Sequence, residues 1–137
     1  GSETWTLTAE DVRALRIFER KIYRRICGPV KDGEIWRVRK NQEINKIIGS
    51  EDIVRFIKSS RLRWIGHVER MGEDRLQKRI MKSYIIGVRK RGRPRTRWQQ
   101  DVEEDLRRLN VRRWQEKARD RSDWRHIVNE AKVHIGL

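Results

Sequence analysis

The chain has 137 residues, with 35 Lys or Arg against 20 Asp or Glu, which gives a formal net charge of +15. Charged residues make up 40% of it and hydrophobic residues 36%, whereas globular chains average about 25% and about 45–50%, so we expect a modest core. No apolar run approaches the roughly 20 residues that span a bilayer, and no signal-peptide pattern opens the chain, so we expect neither a membrane protein nor a secretory precursor.

The first predicted element is an amphipathic helix. Thr8 and Asp11 form a start of the capping-box type, and apolar residues then recur at three- and four-residue intervals until Gly28. These apolar residues are Val12, Leu15, Phe18, Ile22 and Ile26. In residues 34–39 apolar and polar side chains alternate only weakly, which predicts either a short strand or an extended loop.

Two further helical regions precede residue 73. A short helix with Asn41 as its cap is predicted to end at Gly49. Residues 50–72 carry apolar side chains at helical spacing, with Ser59 and Ser60 as a bend, and predict either one long helix or two stacked ones.

The second half of the chain predicts four more helices. Asp74 opens a short helix with Leu76 and Ile80 on one face, and a capping box at Thr96 and Gln99 begins an amphipathic helix that two shorter helices follow. The apolar residues of the last three helices are Trp98, Val102, Leu106, Leu109, Trp114, Ala118, Trp124, Ile127, Val128 and Ala131. The sequence thus predicts a mostly α fold of several short helices in a compact bundle, with at most a minor strand.

The cysteine and histidine pattern argues against a bound metal. Cys27 is the single cysteine, which excludes an internal disulfide and a cysteine-rich zinc site. His67, His126 and His134 lie far apart and lack the paired spacings of metal ligands. We expect no cofactor.

Three acidic residues, Asp101, Glu104 and Asp105, lie on or near one helical face. Such a group can in principle hold a divalent cation. Because they lie in an amphipathic pattern between Trp98 and the basic residues that follow, the favoured prediction is a solvated helix face.

A long basic run lies between Asp74 and Asp101, where the sequence has no acidic residue. Its ten basic residues are Arg75, Lys78, Arg79, Lys82, Arg89, Lys90, Arg91, Arg93, Arg95 and Arg97. An unpaired positive run carries an electrostatic cost that a polyanion relieves by replacing the counterions. We predict that the first four contact phosphates from a helix face and that residues 89–97 follow a groove or a single strand; the alternatives are a solvated linker and a nuclear-localisation signal.

Within the basic run, residues 87–95 contain Gly92, Pro94 and almost no apolar residue, and so predict an exposed linker. The string Arg91-Gly92-Arg93-Pro94 has the core of an AT-hook-like minor-groove binder, in which glycine lets the backbone lie deep in the groove beside arginines.

The tryptophans on apolar helical faces favour core packing over base stacking. They are Trp64, Trp98, Trp114 and Trp124. Trp98, one residue beyond Arg97, is the best candidate for stacking against a base.

Seven strings of this sequence resemble, in the same order, the C-terminal region of non-LTR (LINE-type) retrotransposon reverse transcriptases. They are ETWTLT, GPVKDGEIWRVR, DIVRFIKSSRLRWIGHVERM, GRPRTRW, DVEEDL, ARDRSDWRHIV and EAKVHIGL. The resemblance is greatest to the RTE clade, which includes BovB-like elements, and it covers nearly the whole chain after residues 1–2, which look like a cloning remnant.

The resemblance implies a division of the chain and a role for it. Residues 3–28 would be the end of the thumb, 29–86 a helical part of the C-terminal extension, 87–95 the basic linker and 96–137 a three-helix segment. The polymerase's catalytic aspartates and the endonuclease would lie upstream, and no Tyr-x-Asp-Asp motif is present. The chain would then bind nucleic acid without doing chemistry.

In this family context, the domain would hold element RNA, template–primer hybrid or target DNA during target-primed reverse transcription. Its partners would be nucleic acid and the upstream reverse transcriptase domains, and it would act in the nucleus after cytoplasmic assembly on element RNA. The rival hypotheses are a domesticated copy or protein-interaction module whose basic segment serves only import, and a metal-dependent nuclease using Asp101 or Glu104.

Changing Arg91, Arg93 and Arg95 to Ala together tests the basic linker. We expect the helical circular dichroism signal and the melting temperature to stay nearly unchanged, because Gly92 and Pro94 keep this stretch out of any helix. Nucleic-acid affinity, measured by fluorescence anisotropy, should fall by about ten-fold or more, because three charge-assisted phosphate contacts are lost.

The control for this variant removes charge of the opposite sign, by Glu103→Ala with Glu104→Ala. It should keep the affinity or raise it slightly, because repulsion of the nucleic acid decreases. Full binding by the triple variant, together with a loss in the control, would leave the linker as an import signal only.

Overall fold

Helices account for most of the backbone in the computed structural model, which describes residues 1–49, 52–83 and 97–134. In chain order the elements are a 3₁₀ helix (Ser2–Thr4), α1 (Ala9–Cys27), β1 (Val30–Asp32), β2 (Ile35–Arg37), α2 (Asn41–Ile48), α3 (Ile53–Glu69), α4 (Leu76–Lys82), α5 (Trp98–Arg108), α6 (Trp114–Arg119) and α7 (Arg121–Val133). The predicted mostly α class, with minor strands, is confirmed. Among these helices, none has the length and apolar composition that a membrane crossing requires.

Local capping explains where the helices begin. At α1 the Thr8 hydroxyl accepts a hydrogen bond from the Asp11 N–H at 3.2 Å, and the Asp11 carboxylate accepts one from the Thr8 N–H at 2.9 Å, as predicted. At α5 the residue before the helix is Arg97, whose N–H donates to the Gln100 side chain at 3.0 Å. The predicted partner, Gln99, instead donates to the Met81 carbonyl oxygen, and Thr96 lies outside the described residues.

The segment between α1 and α2 is a β-hairpin. Asp32 pairs with Ile35 across a two-residue turn, in which Gly33 has φ of +61°, a value that favours glycine. The Arg37 guanidinium donates to Asp32 at 2.8 Å and to Glu43 at 2.7 and 2.9 Å, which ties the hairpin to α2. These hydrogen bonds from Arg37, with one from the Lys40 N–H, lower the pKa of Glu43 to about 2.

Helix α3 is one continuous helix, which decides between the two arrangements that the sequence left open. Asp52 caps it, because one carboxylate oxygen accepts from the backbone N–H groups of Val54 and Arg55 at 2.8 and 3.1 Å. The predicted bend is absent from this helix: the buried Ser59 hydroxyl donates to the Phe56 carbonyl oxygen within the same helix, at 2.9 Å.

One hydrophobic core forms where α3 packs against α5, α6 and α7. Its buried residues are Leu62, Ile65, Val102, Leu106, Leu109, Ala118, Trp124, Ile127, Val128 and Ala131. The core therefore joins α3, which precedes residues 84–96, to α5, α6 and α7, which follow them. Trp124 is 2% exposed, as its core prediction requires, and its indole N–H donates to the Leu62 carbonyl oxygen at 2.9 Å.

The apolar pattern of α1 is largely exposed. Phe18 is 56% exposed, and no residue of α1 is fully buried. Polar contacts help to join α1 to α3. Arg16 forms an ion pair with Asp52 at 3.0 Å, and Glu19 accepts a hydrogen bond from the Ile53 N–H at 2.8 Å.

Gly66→Ala tests the closest approach in the core. A Cβ at Gly66 would overlap the indole ring of Trp124, whose ring is enclosed and cannot move aside freely. We expect a loss of about 1–3 kcal/mol in the free energy of unfolding, measured by urea denaturation, because an overpacked core forces side chains off their rotamers.

Gly72→Ala is the matched control, because a Cβ there meets only the carboxylate of Asp74, the end of an exposed side chain. It should leave the unfolding midpoint nearly unchanged. Equal midpoints for the two variants would contradict the tight packing of α3 on Trp124.

Candidate nucleic-acid interface

The predicted contact residues divide into two groups. Those outside the described residues are Arg89, Lys90, Arg91, Gly92, Arg93, Pro94 and Arg95. The others lie near two helices. Arg75 directly precedes α4, which contains Lys78, Arg79 and Lys82, and Arg97 directly precedes α5, which begins with Trp98.

Lys78 points inward, which corrects its prediction as a phosphate contact. It is 6% exposed, and its ammonium donates to the carbonyl oxygens of Glu69 at 2.6 Å and Met71 at 3.2 Å. These carbonyls lie at and just beyond the end of α3, where the helix dipole favours a cation. The predicted apolar residues of α4, Leu76 and Ile80, are instead exposed.

The other three basic residues near α4 are exposed, but one of them is paired. Lys82 lies 2.5 Å from the Glu73 carboxylate, and hydrogen bonds from Lys82 and Lys78 lower the pKa of Glu73. Arg75 and Arg79, four residues apart, have no ion-pair partner among the described residues. Within the predicted phosphate-binding face, these two guanidinium groups are therefore the ones that remain free to bind a phosphate.

Trp98 packs inward, as the favoured prediction of core packing has it, and not as the candidate for base stacking. Its ring is partly buried against the core, and its indole N–H donates to the Glu3 carbonyl oxygen at 2.7 Å. The hydrogen bond and the packing against the core therefore agree with the favoured prediction for this tryptophan.

Asp101 and Asp105 of α5 belong to a buried ion cluster, which corrects the solvated-face prediction for these two residues. Arg61 of α3 is 1% exposed and pairs with Asp105, which is equally buried, and with Asp101 at 2.9 Å. Lys58 lies 3.0 Å from the other oxygen of Asp105. Glu103 is exposed, and the partly exposed Glu104 pairs with Arg107 and Arg108.

This cluster also uses carboxylates that the hypothesis of a bound divalent cation would need as ligands. In residues 1–49, 52–83 and 97–134, no group of three or more His, Cys, Asp or Glu side chains is arranged to hold a metal ion. The carboxylate oxygens of Asp101 and Asp105 are already bound by cationic side chains, which take the place of a cation there.

A basic cleft of about 790 Å³ lies between α3 and α7, and the sequence analysis did not identify it. Its basic and aromatic lining comprises Arg63, Trp64, His67 and Arg70 of α3, with Arg121, Trp124 and Arg125 of α7. Spacings of three and four residues place each helix's cations on one face. Glu3 is the one acidic residue among the lining residues described, and its carboxylate pairs with the N-terminal ammonium at 2.9 Å.

The arginines of this α3–α7 cleft carry unneutralised charge. None of the four, Arg63, Arg70, Arg121 and Arg125, forms an ion pair with an acidic residue in the described part of the chain. Partial burial, and then the charge of Arg121, lower the pKa of Arg70. The Arg70 guanidinium is also held in place, since it donates to the Ala118 carbonyl oxygen at 2.6 Å.

Aromatic surface lies between these arginines. The rings of Trp64 and His67 are 5.6 Å apart between centroids and tilted by 50°. Trp64 is partly exposed and His67 is exposed, whereas Trp124 beneath them belongs to the core. The cleft thus offers cations for phosphates and ring faces for bases.

Helical spacing was the signal that could have revealed this site. Arg63, His67 and Arg70 share one face of a helix, and Arg121 and Arg125 share one face of another. Each set is short and lies among residues of mixed charge, so a search for continuous basic runs passes over both.

Asp105→Asn tests the buried ion cluster. It leaves the buried Arg61 without its closest counter-charge, so we expect the free energy of unfolding to fall by about 3–5 kcal/mol. Urea denaturation followed by circular dichroism measures this. Glu103→Gln makes the same charge change on the exposed side of α5 and should leave the midpoint nearly unchanged; similar midpoints for both variants would contradict the cluster.

Comparison with known proteins gives no match to a protein-family model, to a curated protein or to a solved structure. The likeness to non-LTR reverse transcriptases remains a resemblance of the seven strings quoted above. Evidence for a function therefore comes from the chain's own residues, and chiefly from the α3–α7 cleft.

Proposed function

We propose that this chain is a non-catalytic nucleic-acid-binding domain. The observation that carries the proposal is the α3–α7 cleft, in which four arginines surround an aromatic surface and have no acidic partner within the described residues. Like charges held together in this way are costly until an anion binds between them, and nucleic acid supplies regularly spaced anions.

The excess charge of the whole chain supports the same proposal. The net charge of +15 favours rapid, salt-sensitive association with a polyanion. Arg75 and Arg79 add two exposed guanidinium groups, and the basic linker at residues 87–95 would extend the contact. Because guanidinium groups here would meet phosphates more than base edges, sequence preference should be weak.

The resemblance to non-LTR reverse transcriptases gives this proposal a biological setting. In it, the domain holds element RNA, template–primer hybrid or target DNA in the nucleus during target-primed reverse transcription, beside the upstream polymerase domains. The proposal assigns the chain no bond-making or bond-breaking step.

The salt dependence of binding tests the proposal. If about six phosphates are neutralised, the logarithm of the association constant should fall with a slope of about −4 to −5 against the logarithm of salt concentration. Fluorescence anisotropy with a labelled oligonucleotide measures this slope. A slope near zero would contradict electrostatic binding and favour a protein-interaction module.

A paired substitution locates the contact. Arg63→Ala with Arg125→Ala should lower affinity by about ten-fold or more and reduce the size of the slope by about 1.4–1.8, because two phosphate contacts are lost. The control, Arg13→Ala with Arg25→Ala, removes the same charge from exposed positions on α1, outside the cleft. Equal losses in the two variants would show that net charge, and not the cleft, determines binding.

A further inference from the structure

We propose that the α3–α7 cleft binds an unpaired nucleic-acid strand, with one base against the Trp64–His67 surface and the adjoining phosphates on the arginines beside it. This inference rests on the proposed function and narrows it from nucleic acid in general to strands whose base faces are free. RNA and DNA single strands share the required chemistry, which is a π-face next to phosphate.

The hydrogen bonding of Trp64 differs from that of Trp98 and Trp124. Trp98 and Trp124 each donate the indole N–H to a backbone carbonyl oxygen and pack in or against the core. The Trp64 indole N–H donates to no acceptor within the described residues, and its ring is only partly buried. A partly exposed ring with a free donor gains both stacking and a hydrogen bond when a base binds.

The aromatic surface of the cleft favours a single strand over a duplex, and the cleft has room for one strand. Its volume of about 790 Å³ lies within the range of about 300–1,000 Å³ that encloses a small molecule, and so suits a nucleotide or two. In a double helix the base faces are stacked on their neighbours, whereas an unpaired base can lie against an aromatic side chain.

The arginine spacing suits a strand that runs along the helices. Arg121 and Arg125 are four residues, or about 6 Å, apart along α7, and Arg63 and Arg70 are seven residues, or about 10 Å, apart along α3. Such rows can follow successive phosphates on both sides of a base. The cleft walls are fixed, because Gly66 of α3 lies directly on the Trp124 ring of α7.

Trp64→Ala tests the proposal with matched single-stranded and double-stranded probes, each as RNA and as DNA. We expect single-strand affinity to fall by roughly 5- to 100-fold, the range found when a stacking residue is truncated, and duplex affinity to stay within about two-fold because duplexes contact only the cations. Trp64→Phe keeps a ring and should retain most of the affinity. Trp36→Ala is the control, since Trp36 is 64% exposed on β2, outside the cleft.

Fluorescence gives a second measurement that does not depend on the Ala variant folding. A base stacked on Trp64 should quench indole emission in the parent protein, and Trp64→Phe should abolish that part of the quenching. Comparing the RNA and DNA single strands then identifies whether the sugar 2′-hydroxyl is also read.

Two different results would overturn different proposals. Equal binding of single and double strands, with unchanged affinity in Trp64→Ala and unchanged quenching in Trp64→Phe, would reject base stacking while the salt-dependent nucleic-acid function stands. An absence of salt-dependent binding to all four probes would reject the proposed function itself.

Discussion

The buried guanidinium of Arg61 constrains the rest of the structure. It lies inside the bundle on α3 and pairs with Asp101 and Asp105 of α5, and one of its N–H groups also donates to the Trp5 carbonyl oxygen at 3.2 Å. Its Nε atom has no hydrogen-bond partner in the described structure, so the cluster costs desolvation that is not fully repaid. The cluster fixes the rotation of α3 about its own axis relative to α5, because few rotations of α3 bring the Arg61 guanidinium to both carboxylates. Arg63, His67 and Arg70 then lie about 180–240° around the helix from Arg61, at 100° per residue, on the side that meets α7.

The positive charges of the chain thus serve two separate purposes. Arg61, Lys58 and Lys78 are directed inward and satisfy carboxylates or the carbonyls at the end of α3. Arg63 and Arg125 are exposed and have no acidic partner within the described residues. The net charge counts both kinds equally, although only the second kind can attract a ligand. The distribution of partners, more than the total of +15, therefore indicates where a polyanion would bind.

Features encoded within a few residues could be predicted from the sequence, and features that join distant segments could not. The Thr8–Asp11 capping box and the helical pattern around Trp124 are local, and the structure has both. The start of α5 differs by one residue: the Gln100 side chain accepts from the Arg97 N–H, whereas the Gln99 side chain donates to the Met81 carbonyl oxygen. The burial of Asp105 depends on Arg61, 44 positions away, and the cleft depends on two helices whose facing residues are further apart still. A linear pattern of charge looks the same whether its partner is water or a distant side chain.

Helix α1 is attached to the rest of the molecule differently from the helices of the core. The α3–α7 core is held by apolar burial, which salt does not screen, whereas α1 has no fully buried residue and adheres through contacts such as the Arg16–Asp52 pair. Local opening of α1 should therefore require less free energy than global unfolding, which places it in a less stable foldon. Under the proposed function, ionic strength would act on two processes at once, because the salt that would release a polyanion from the cleft would also screen the contacts that keep α1 docked. At a fixed ionic strength neither the release of the polyanion nor the loosening of α1 would be observed, whereas a salt titration would produce both together.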